Sequence, residues 1–206
     1  MPYRSSDKTR QKKDSKRTSM MQAAVQVFAE KGYHAATVRD IVEIADVAVG
    51  TFYFYFPDKE TLFTHLYDET ADFLVQTLQQ ASVSRSLWPQ QVQAIIQAYV
   101  NLAIFEPAII QLLLIGGSGT PALATRRQRF RHQLTQLWQR PLTEALTNEQ
   151  LPDQDSRLTA EAIVGAVDEV ILKLLNLPEP ELAADGTVLN LTRFVLRATG
   201  PFREKT

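Results

Sequence analysis

The sequence of 206 residues contains no cysteine, so neither disulfide bonds nor thiolate metal sites can form. It also lacks a long hydrophobic run. The longest nearly continuous apolar segment, residues 108–115, is interrupted by Gln111 and is much shorter than the ~20 residues of a membrane-spanning helix. The N-terminal residues are too polar for a secretory signal peptide. We therefore expect a cytoplasmic protein that has no membrane partner.

Groups that carry out catalysis are scarce as well. The three histidines, His34, His65 and His132, are far apart in the sequence, and no HExxH or paired-carboxylate helix motif is present. Asp168 and Glu169 are adjacent acids in an apolar segment, but on a helix they point about 100° apart. A capped or dimer-facing acid is the simpler interpretation of this pair. We expect no enzyme activity, no cofactor and no metal, and an all-α enzyme is the main alternative class.

Positive charge is concentrated at the N-terminal end, although the formal net charge is only −1. Residues 1–17 hold 7 basic and 2 acidic residues. This asymmetry favours a polyanionic partner at that end of the chain. A solvated, disordered tail is the alternative interpretation of the same composition. The basic residues of this arm are Arg4, Lys8, Arg10, Lys12, Lys13, Lys16 and Arg17.

Apolar residues recur at helical spacing through most of the chain, and capping and breaking residues divide the pattern into about nine helices. The fold class is therefore predicted to be all-α. We expect a basic disordered arm, a three-helix N-terminal domain and a larger C-terminal helical domain. These three parts cover residues 1–14, 15–57 and 58–206. The helices are predicted at residues 15–31, 37–46, 49–56, 58–81, 89–103, 108–115, 121–146, 158–177 and 187–198.

Residues 37–62 carry the most informative pattern: a helix, a tight turn, a short aromatic-rich helix and a newly capped helix. Thr37 and Asp40 form an approximate capping box, after which Ile41, Ile44 and Ala45 are predicted to face inward. Residues 51–56 are rich in β-forming side chains, but a lone strand between two helices has no partner strand. Two helices joined by so short a turn can place the second one in a DNA major groove.

A set of residues at characteristic spacing extends over about residues 20–63. Its members are Ala23, Ala24, Phe28, Gly32, Tyr33, Thr37, Val38, Arg39, Asp40, Ile41, Ala45, Val47, Gly50, Thr51, Phe52, Tyr53, Phe56, Lys59, Glu60 and Leu62. In these residues the sequence resembles the TetR/AcrR family of one-component transcriptional regulators. The chain departs from the family pattern at Val42, Asp46, Ala48 and Val49, where alanine, glycine, serine and a basic or polar residue are usual. None of these departures removes the motif.

The resemblance implies that residues 15–57 are a helix-turn-helix DNA-binding domain and that residues 58–206 are a domain for effector binding and dimerisation. It implies that the third helix enters the major groove and that the starts of the second and fourth helices meet phosphates. It also implies a homodimer on a palindromic operator of double-stranded DNA, with repression as the family default. The DNA-binding residues implied in this way are Lys16, Arg17, Thr37, Val38, Arg39, Ala48, Val49, Gly50, Thr51, Tyr53, Phe54, Tyr55 and Lys59.

The residue types agree with these roles. A hydroxyl at a helix start suits a phosphate, and Gly50 permits close approach to DNA. Core packing is the alternative for Tyr53 and Tyr55. Few of these side chains form bidentate base contacts, so specificity is expected to depend on thymine methyls and DNA shape. An interaction module that has lost DNA binding is a second alternative, against which Gly50, Tyr53 and Lys59 argue.

The resemblance further implies a small-molecule site among the C-terminal helices, and an apolar lining suits a hydrophobic or acyl-chain effector. Plain core packing is the alternative for every one of these side chains. The predicted lining residues are Phe73, Tyr99, Phe105, Ile109, Leu112, Leu113, Phe130, Leu134 and Trp138. A dense cationic cluster is interpreted as a solvated helix face or, more boldly, as a receptor for an anionic head group. Its members are Arg126, Arg127, Arg129, Arg131 and His132.

The dimer surface is expected on the last two helices, where small residues that allow close helix approach lie beside apolar rows. The alternative is that these rows face the core of their own protomer. The predicted dimerisation residues are Ala162, Ile163, Gly165, Ala166, Val167, Val170, Val188, Leu191 and Val195.

Overall fold

The computed structural model describes residues 7–83, 85–115 and 120–201. Within these ranges the chain forms nine helices and no strand, which confirms the all-α fold class. The helices are α1 (Asp7–Ala35), α2 (Val38–Ile44), α3 (Val49–Tyr55), α4 (Lys59–Val83), α5 (Trp88–Phe105), α6 (Pro107–Leu114), α7 (Pro121–Thr147), α8 (Ser156–Leu175) and α9 (Pro180–Ala198).

The first helix starts earlier than the sequence pattern predicts. It begins at Asp7 rather than at residue 15, so residues 7–14 are helical and not a disordered arm. Residues 1–6 of the predicted arm lie outside the described residues. Gly32 interrupts α1 with φ 73° and ψ 164°. The positive φ was expected of a glycine that ends a helix, but this ψ lies outside the left-handed helical region. The chain then adds one short turn before α2.

Helices α2 and α3 pack with α1 as a helix-turn-helix unit. Ile41 and Val42 are the buried residues of α2, and Ala45 packs against the same core. The buried face of α2 is therefore centred on Ile41 and Val42. Ile44 lies away from this face and is exposed to solvent. The prediction that Ile44 faces inward was wrong.

Helix α5 forms the centre of the larger helical region, with α4 on one side and α9 on the other. Helix α7 packs against both α4 and α8, and α6 lies against α1. Burial of apolar surface along α5 supplies much of the stabilisation of this arrangement. Its buried residues are Trp88, Val92, Ile95, Ile96, Tyr99, Val100 and Ala103.

The last two helices begin earlier than predicted. Asp155 caps α8 by accepting hydrogen bonds from the N–H groups of Arg157 and Leu158 at 2.9 and 3.0 Å. Pro180 occupies the first turn of α9, where its missing N–H breaks no helical hydrogen bond. The predicted loop over residues 177–186 was therefore wrong from Pro180 onward.

No single helix in the described ranges has the length and apolar content to cross a membrane. Helices α5 and α6 pass that test only as a pair, and they are bent by 109° at their junction.

Candidate functional site

The short helix α3 presents an aromatic face to solvent. Phe52 and Phe56 are buried and anchor the helix to the core. Tyr53, Phe54 and Val49 are exposed, with Phe54 exposed to 67%. Because large apolar side chains seldom cluster on a free protein surface, this face is a candidate binding surface.

The remaining α3 residues differ in how exposed they are to solvent. Tyr55 is half-buried and packs against the core, which limits the reach of its hydroxyl towards a phosphate. Thr51 is half-buried as well. Gly50 is exposed, and a Cβ built on it would meet no atom within 4 Å. No packing inside the protein therefore requires glycine at this position.

The turn before α3 has the conformation expected from its sequence. Asp46 takes a positive φ of 51°, which aspartate tolerates better than most residues. The Val47 N–H donates to the carbonyl oxygen of Val42 at 3.1 Å, and the Val47 side chain packs on the core. Ala48 is the N-cap residue of α3 and provides no side-chain hydrogen bond. The start of α3 is therefore open to an external anion.

At the start of α2 the predicted capping box is present. The Asp40 N–H donates to the Thr37 hydroxyl oxygen at 3.2 Å, and the Thr37 N–H donates to the Asp40 carboxylate at 2.9 Å. Lys31 donates to the same carboxylate at 2.9 Å. The Lys31 hydrogen bond and those of Thr37 lower the pKa of Asp40 to about 2. This box fixes the start of α2, where Val38 is half-buried and Arg39 is exposed.

The cations predicted to bind phosphates differ in their availability. Lys16 and Arg39 are exposed and have no ion-pair partner among the described residues. Arg17 donates to the Glu69 carboxylate at 2.8 Å, and its guanidinium lies 5.9 Å from the centre of the Phe56 ring. Because such a surface ion pair contributes little stability, Arg17 can exchange its partner for a phosphate at small cost.

Lys59 does not extend towards DNA as predicted. Its ammonium donates to the carbonyl oxygens of Tyr33 and Ala36 at 2.6 and 2.7 Å. It also lies 4.6 Å from the centre of the Tyr33 ring. Burial lowers the pKa of Lys59. The side chain therefore caps the end of α1 and is not available for a phosphate in this conformation.

The side chains predicted to line an effector pocket do not share one cavity. Phe73 and Phe105 are exposed, Phe105 to 80%, because Phe105 is the last residue of α5 at the bend before α6. Ile109 is half-buried. The others are packed into the core, in agreement with the core-packing alternative, and are Tyr99, Leu112, Leu113, Phe130, Leu134 and Trp138.

Two clefts lie mostly at positions that the sequence pattern did not indicate, and Leu112 is the one predicted lining residue in their walls. One, of about 470 Å³, lies between α4, α7 and the start of α5, and Val75 and Leu137 are among its walls. The other, of about 360 Å³, lies between the end of α1, α4 and α6, with Tyr33, Phe63 and Leu112 in its walls. Their walls come from three helices each, and no local pattern records how these helices are placed relative to one another.

The cationic cluster of α7 points in several directions. Arg126 donates to the Asp68 carboxylate of α4 at 3.1 Å. Arg131 lies 3.6 Å from the Asp168 carboxylate of α8, and Arg127 is half-buried nearby. The interpretation as a solvated helix face is therefore right for only part of the cluster, namely Arg129 and His132.

Asp168 is a buried acid, exposed to only 6%. Its Oδ1 accepts a hydrogen bond from the Tyr99 hydroxyl at 3.0 Å, whereas its Oδ2 accepts none within the described part of the chain. Burial raises the pKa of Asp168 to about 6, against the opposing effects of Tyr99, Arg131 and Arg127. The prediction of a capped or dimer-facing acid was wrong for this residue.

Residues 20–66 match the family model of bacterial regulatory proteins of the tetR family. The matched segment contains most of α1, all of α2 and α3, and the start of α4. It therefore includes the exposed α3 face and the capping box that supports it. Over residues 20–66 the chain belongs to the TetR family.

The relatives of this TetR-family protein are also regulators. It is 26% identical over 162 residues to the fatty acid metabolism regulator protein of Bacillus subtilis, which covers 77% of this chain and 83% of that protein. It is 26% identical over 109 residues to the HTH-type transcriptional repressor KstR2 of Rhodococcus jostii, covering 49% and 53%. These relatives are transcriptional regulators and not enzymes, in agreement with the prediction.

A solved structure shares the fold of the TetR-family chain along most of its length. The transcriptional regulator FadR from Bacillus subtilis, crystallised in complex with stearoyl-CoA, superposes with a TM-score of 0.74 at 21% identity. The match covers 85% of this chain and 97% of that one. An N-terminal helix-turn-helix followed by a larger helical region is therefore the architecture of both.

The predicted dimer surface of the TetR-family chain is only partly at the surface. Ala162 is exposed, and Gly165, Ala166 and Val170 are half-buried. The remaining predicted residues lie in the protomer's own core, in agreement with the alternative, and are Ile163, Val167, Val188, Leu191 and Val195. The large exposed apolar residues of α8 and α9 were missed, because inner and outer rows are both apolar there. They are Leu158, Leu182, Leu189 and Phe194.

Proposed function

We propose that this TetR-family protein is a homodimeric transcriptional repressor that binds a palindromic operator and is released by an acyl-type effector. The observation that carries DNA binding is the exposed face of α3, supported by buried Phe52 and Phe56. A helix that is anchored on one side and apolar on the other fits a groove whose walls include thymine methyl groups.

The α3 side chains differ in what they offer to bases. Val49 and Phe54 present apolar surface to thymine methyls, and Gly50 lets the helix backbone approach the bases closely. Tyr53 adds an exposed hydroxyl for a phosphate or a base edge. Because these groups make few bidentate hydrogen bonds, part of the sequence specificity comes from DNA shape.

Phosphate contacts surround this helix. Arg39 of α2 and Lys16 of α1 are exposed cations, and the exposed Thr37 at the start of α2 offers its hydroxyl group to a phosphate. Such contacts fix the register of α3 on the duplex without reading its sequence.

A single two-turn helix makes too small an interface for a specific site, so a second copy is required. The outward face of α8, with Ala162 and Leu158, and the exposed Leu182 and Leu189 of α9 supply apolar surface for a dimer. Small residues on α8 allow two helices to approach closely. A two-fold dimer of this kind binds a palindrome.

The relatives support repression and an acyl-type effector. KstR2 is a transcriptional repressor, and FadR of Bacillus subtilis was crystallised with stearoyl-CoA. The apolar interior between α5, α6 and α7 suits an acyl chain once its side chains move apart. The protein acts in the cytoplasm, where it meets both its operator and its effector.

The proposal is tested by selecting duplexes from a random pool and measuring their affinity by fluorescence anisotropy at moderate salt. An inverted repeat is expected to bind at least 100-fold more tightly than a scrambled duplex, in the range of specific sites. Stearoyl-CoA is expected to weaken that binding. Failure to enrich any duplex would overturn the DNA-binding proposal. Binding that acyl-CoA thioesters leave unchanged, both with and without a hydroxyl on the chain, would overturn the effector proposal alone.

Two phenylalanines provide a matched pair of variants for this test. Phe54→Ser removes an exposed ring from α3 and is expected to abolish the preference for the selected duplex. Phe105→Ser removes an even more exposed ring at the end of α5 and is expected to leave this preference intact. Equal effects of the two variants would contradict the placement of α3 in the groove.

A further inference from the structure

A small cavity of about 150 Å³ lies between α6, α7 and α8. One part of its wall is apolar, and another part, at the protein surface, carries charges of both signs. Among its lining residues are Leu114, Phe130, Leu172, Arg127, Arg131 and Asp168.

The Asp168 carboxylate is only half satisfied at this cavity. Tyr99 holds Oδ1 from the α5 side, so Oδ2 is directed towards α7 and the cavity. Oδ2 is buried and accepts no hydrogen bond from any described group. Arg131 covers it from 3.6 Å, which is beyond hydrogen-bond distance. A buried acceptor without a donor is costly, so a ligand that supplies the donor gains affinity.

Arg131 provides the second half of the site. Its side chain is about half exposed, so it can move aside while keeping its charge over the cavity. A head group inserted between the two side chains has to donate to Asp168 and accept from Arg131. Because their facing atoms are only 3.6 Å apart, the donor and the acceptor of that head group must be near neighbours.

We propose that this cavity binds the head of an acyl effector that carries a hydroxyl beside its carbonyl, a 2- or 3-hydroxyacyl group. The hydroxyl donates to Asp168 Oδ2, and the carbonyl oxygen accepts from Arg131. The apolar wall at Leu114, Phe130 and Leu172 receives the first carbons of the chain. This inference rests on the proposed acyl-type effector and specifies its chemistry.

An unsubstituted acyl group fits the same walls but has no donor next to its carbonyl. It leaves Oδ2 of Asp168 unpaired, and sites built around a hydrogen bond discriminate strongly against analogues that lack it. The cavity holds a head group and not a whole chain, since pockets for drug-sized ligands span about 300–1,000 Å³. The head therefore decides selectivity here, and the chain contributes affinity elsewhere.

The test is isothermal titration calorimetry of the full chain with three octanoyl probes: octanoate, 3-hydroxyoctanoate and 8-hydroxyoctanoate. The two hydroxy acids have the same atoms and differ only in the distance between hydroxyl and carbonyl. The 3-hydroxy acid is expected to bind at least tenfold more tightly than either of the others. The same series as CoA thioesters distinguishes whether a free acid or a thioester presents the head.

Asp168→Asn places an amide N–H₂ at the position of Oδ2 and is expected to bring the three affinities within about twofold. Asp153→Asn, which removes one negative charge from an exposed loop, is expected to keep the tenfold preference.

Should Asp168→Asn fail to fold, the comparison of the three probes on the natural chain decides the matter. Equal affinities there, or a preference that persists in Asp168→Asn, would overturn the inference while leaving DNA binding and acyl release intact. If no octanoyl probe binds but the selected duplex does, the acyl effector and this inference both fail, and DNA recognition stands.

Discussion

The ammonium of Lys59, at the start of α4, lies 2.6 Å from the carbonyl oxygen of Tyr33, at the end of α1. The same ammonium donates to Ala36 at 2.7 Å. Helix ends leave carbonyl groups without partners, and a lysine that approaches from another helix satisfies them. This interaction ties the DNA-binding unit to α4, the helix that continues into the larger helical region.

Lys59→Met keeps the length of the side chain and removes its donors. We expect it to lower the free energy of unfolding by about 1–2 kcal/mol, because two carbonyl groups at a half-buried position lose their partner. Thermal and urea denaturation measure this decrease. The salt dependence of operator binding is expected to stay unchanged, since the ammonium makes no phosphate contact.

Lys31→Met is the matched control for Lys59→Met. Lys31 donates to the Asp40 carboxylate at the start of α2, and that carboxylate keeps its hydrogen bond from the Thr37 N–H when the lysine is removed, so the replacement is expected to cost clearly less stability. The contrary outcome is that Lys59→Met unfolds with the same free energy as the natural chain and binds the operator with a flatter salt dependence. Lys59 would then be a phosphate ligand at the DNA surface.

Gly50→Ala separates DNA recognition from folding. A Cβ at this position meets no protein atom within 4 Å, and alanine is the better helix former, so stability is expected to stay equal or to rise slightly. Operator affinity is expected to fall at least tenfold, because the added methyl occupies space between α3 and the bases. Anisotropy with the selected duplex and a melting curve measure both effects. Unchanged affinity in a stable variant would place Gly50 away from the DNA.

Arg39→Gln and Lys16→Gln test the interactions with phosphates. Removing the cation from one phosphate reduces the slope of log K against log salt by about 0.9, and each substitution occurs twice in a dimer. Arg129→Gln is the control, because Arg129 is an exposed arginine on α7, outside the helix-turn-helix unit. The slope is expected to fall for the first two variants and to stay constant for the third. A constant slope for all three would assign Arg39 and Lys16 to solvent.

Local sequence signals predicted the helix-turn-helix in detail. The capping box of Thr37 and Asp40, the positive φ of Asp46 and the uncapped start of α3 at Ala48 all depend on residues within a few positions of one another. Pro180 shows how such a signal fails. Proline ends a helix or starts one, and only the packing of α9 against α5 decides between the two.

Longer-range placement was beyond the reach of the sequence. Lys59 and Tyr33 are 26 positions apart, and Asp168 meets Tyr99 across 69 positions. A lysine at a helix start is therefore predicted from the sequence to bind a phosphate, because the sequence does not show that the end of another helix lies beside it. The apolar rows on α8 and α9 present the same difficulty. Val167 is buried in the core and Leu158 is exposed, although either side chain could be buried or could lie at an interface.

Asp168 is expected to make stability depend on pH. Its pKa is raised from 3.8 to about 6 in the folded chain, so its favourable contribution is fully present below pH 3.8 and is lost as the pH rises through 6. The pKa difference corresponds to about 3 kcal/mol. The groups that face Asp168 are the cations Arg127 and Arg131 and the Tyr99 hydroxyl, and burial raises the pKa of Tyr99.

As the pH rises from about 4 to about 7.5, the free energy of unfolding of Asp168→Asn is therefore expected to increase relative to that of the natural chain. The increase approaches the free energy that corresponds to the pKa difference. Urea denaturation at several pH values measures it. Asp153→Asn, in an exposed loop, is expected to show a constant difference over the same range. A constant difference for Asp168→Asn as well would mean that the carboxylate is not desolvated in solution.

Ala162→Glu tests the dimer surface. Ala162 lies on the outward face of α8 and outside the Asp168 cavity, so a glutamate there is harmless to the protomer but places two like charges in a two-fold interface. We expect monomers in analytical ultracentrifugation and a loss of operator affinity, because one α3 contacts only half of a palindrome. Ala124→Glu makes the same change at an exposed position of α7 and is expected to leave dimer and affinity unchanged. A stable dimer of Ala162→Glu would move the interface away from this face of α8, and the exposed leucines of α9 would then be the surface to substitute.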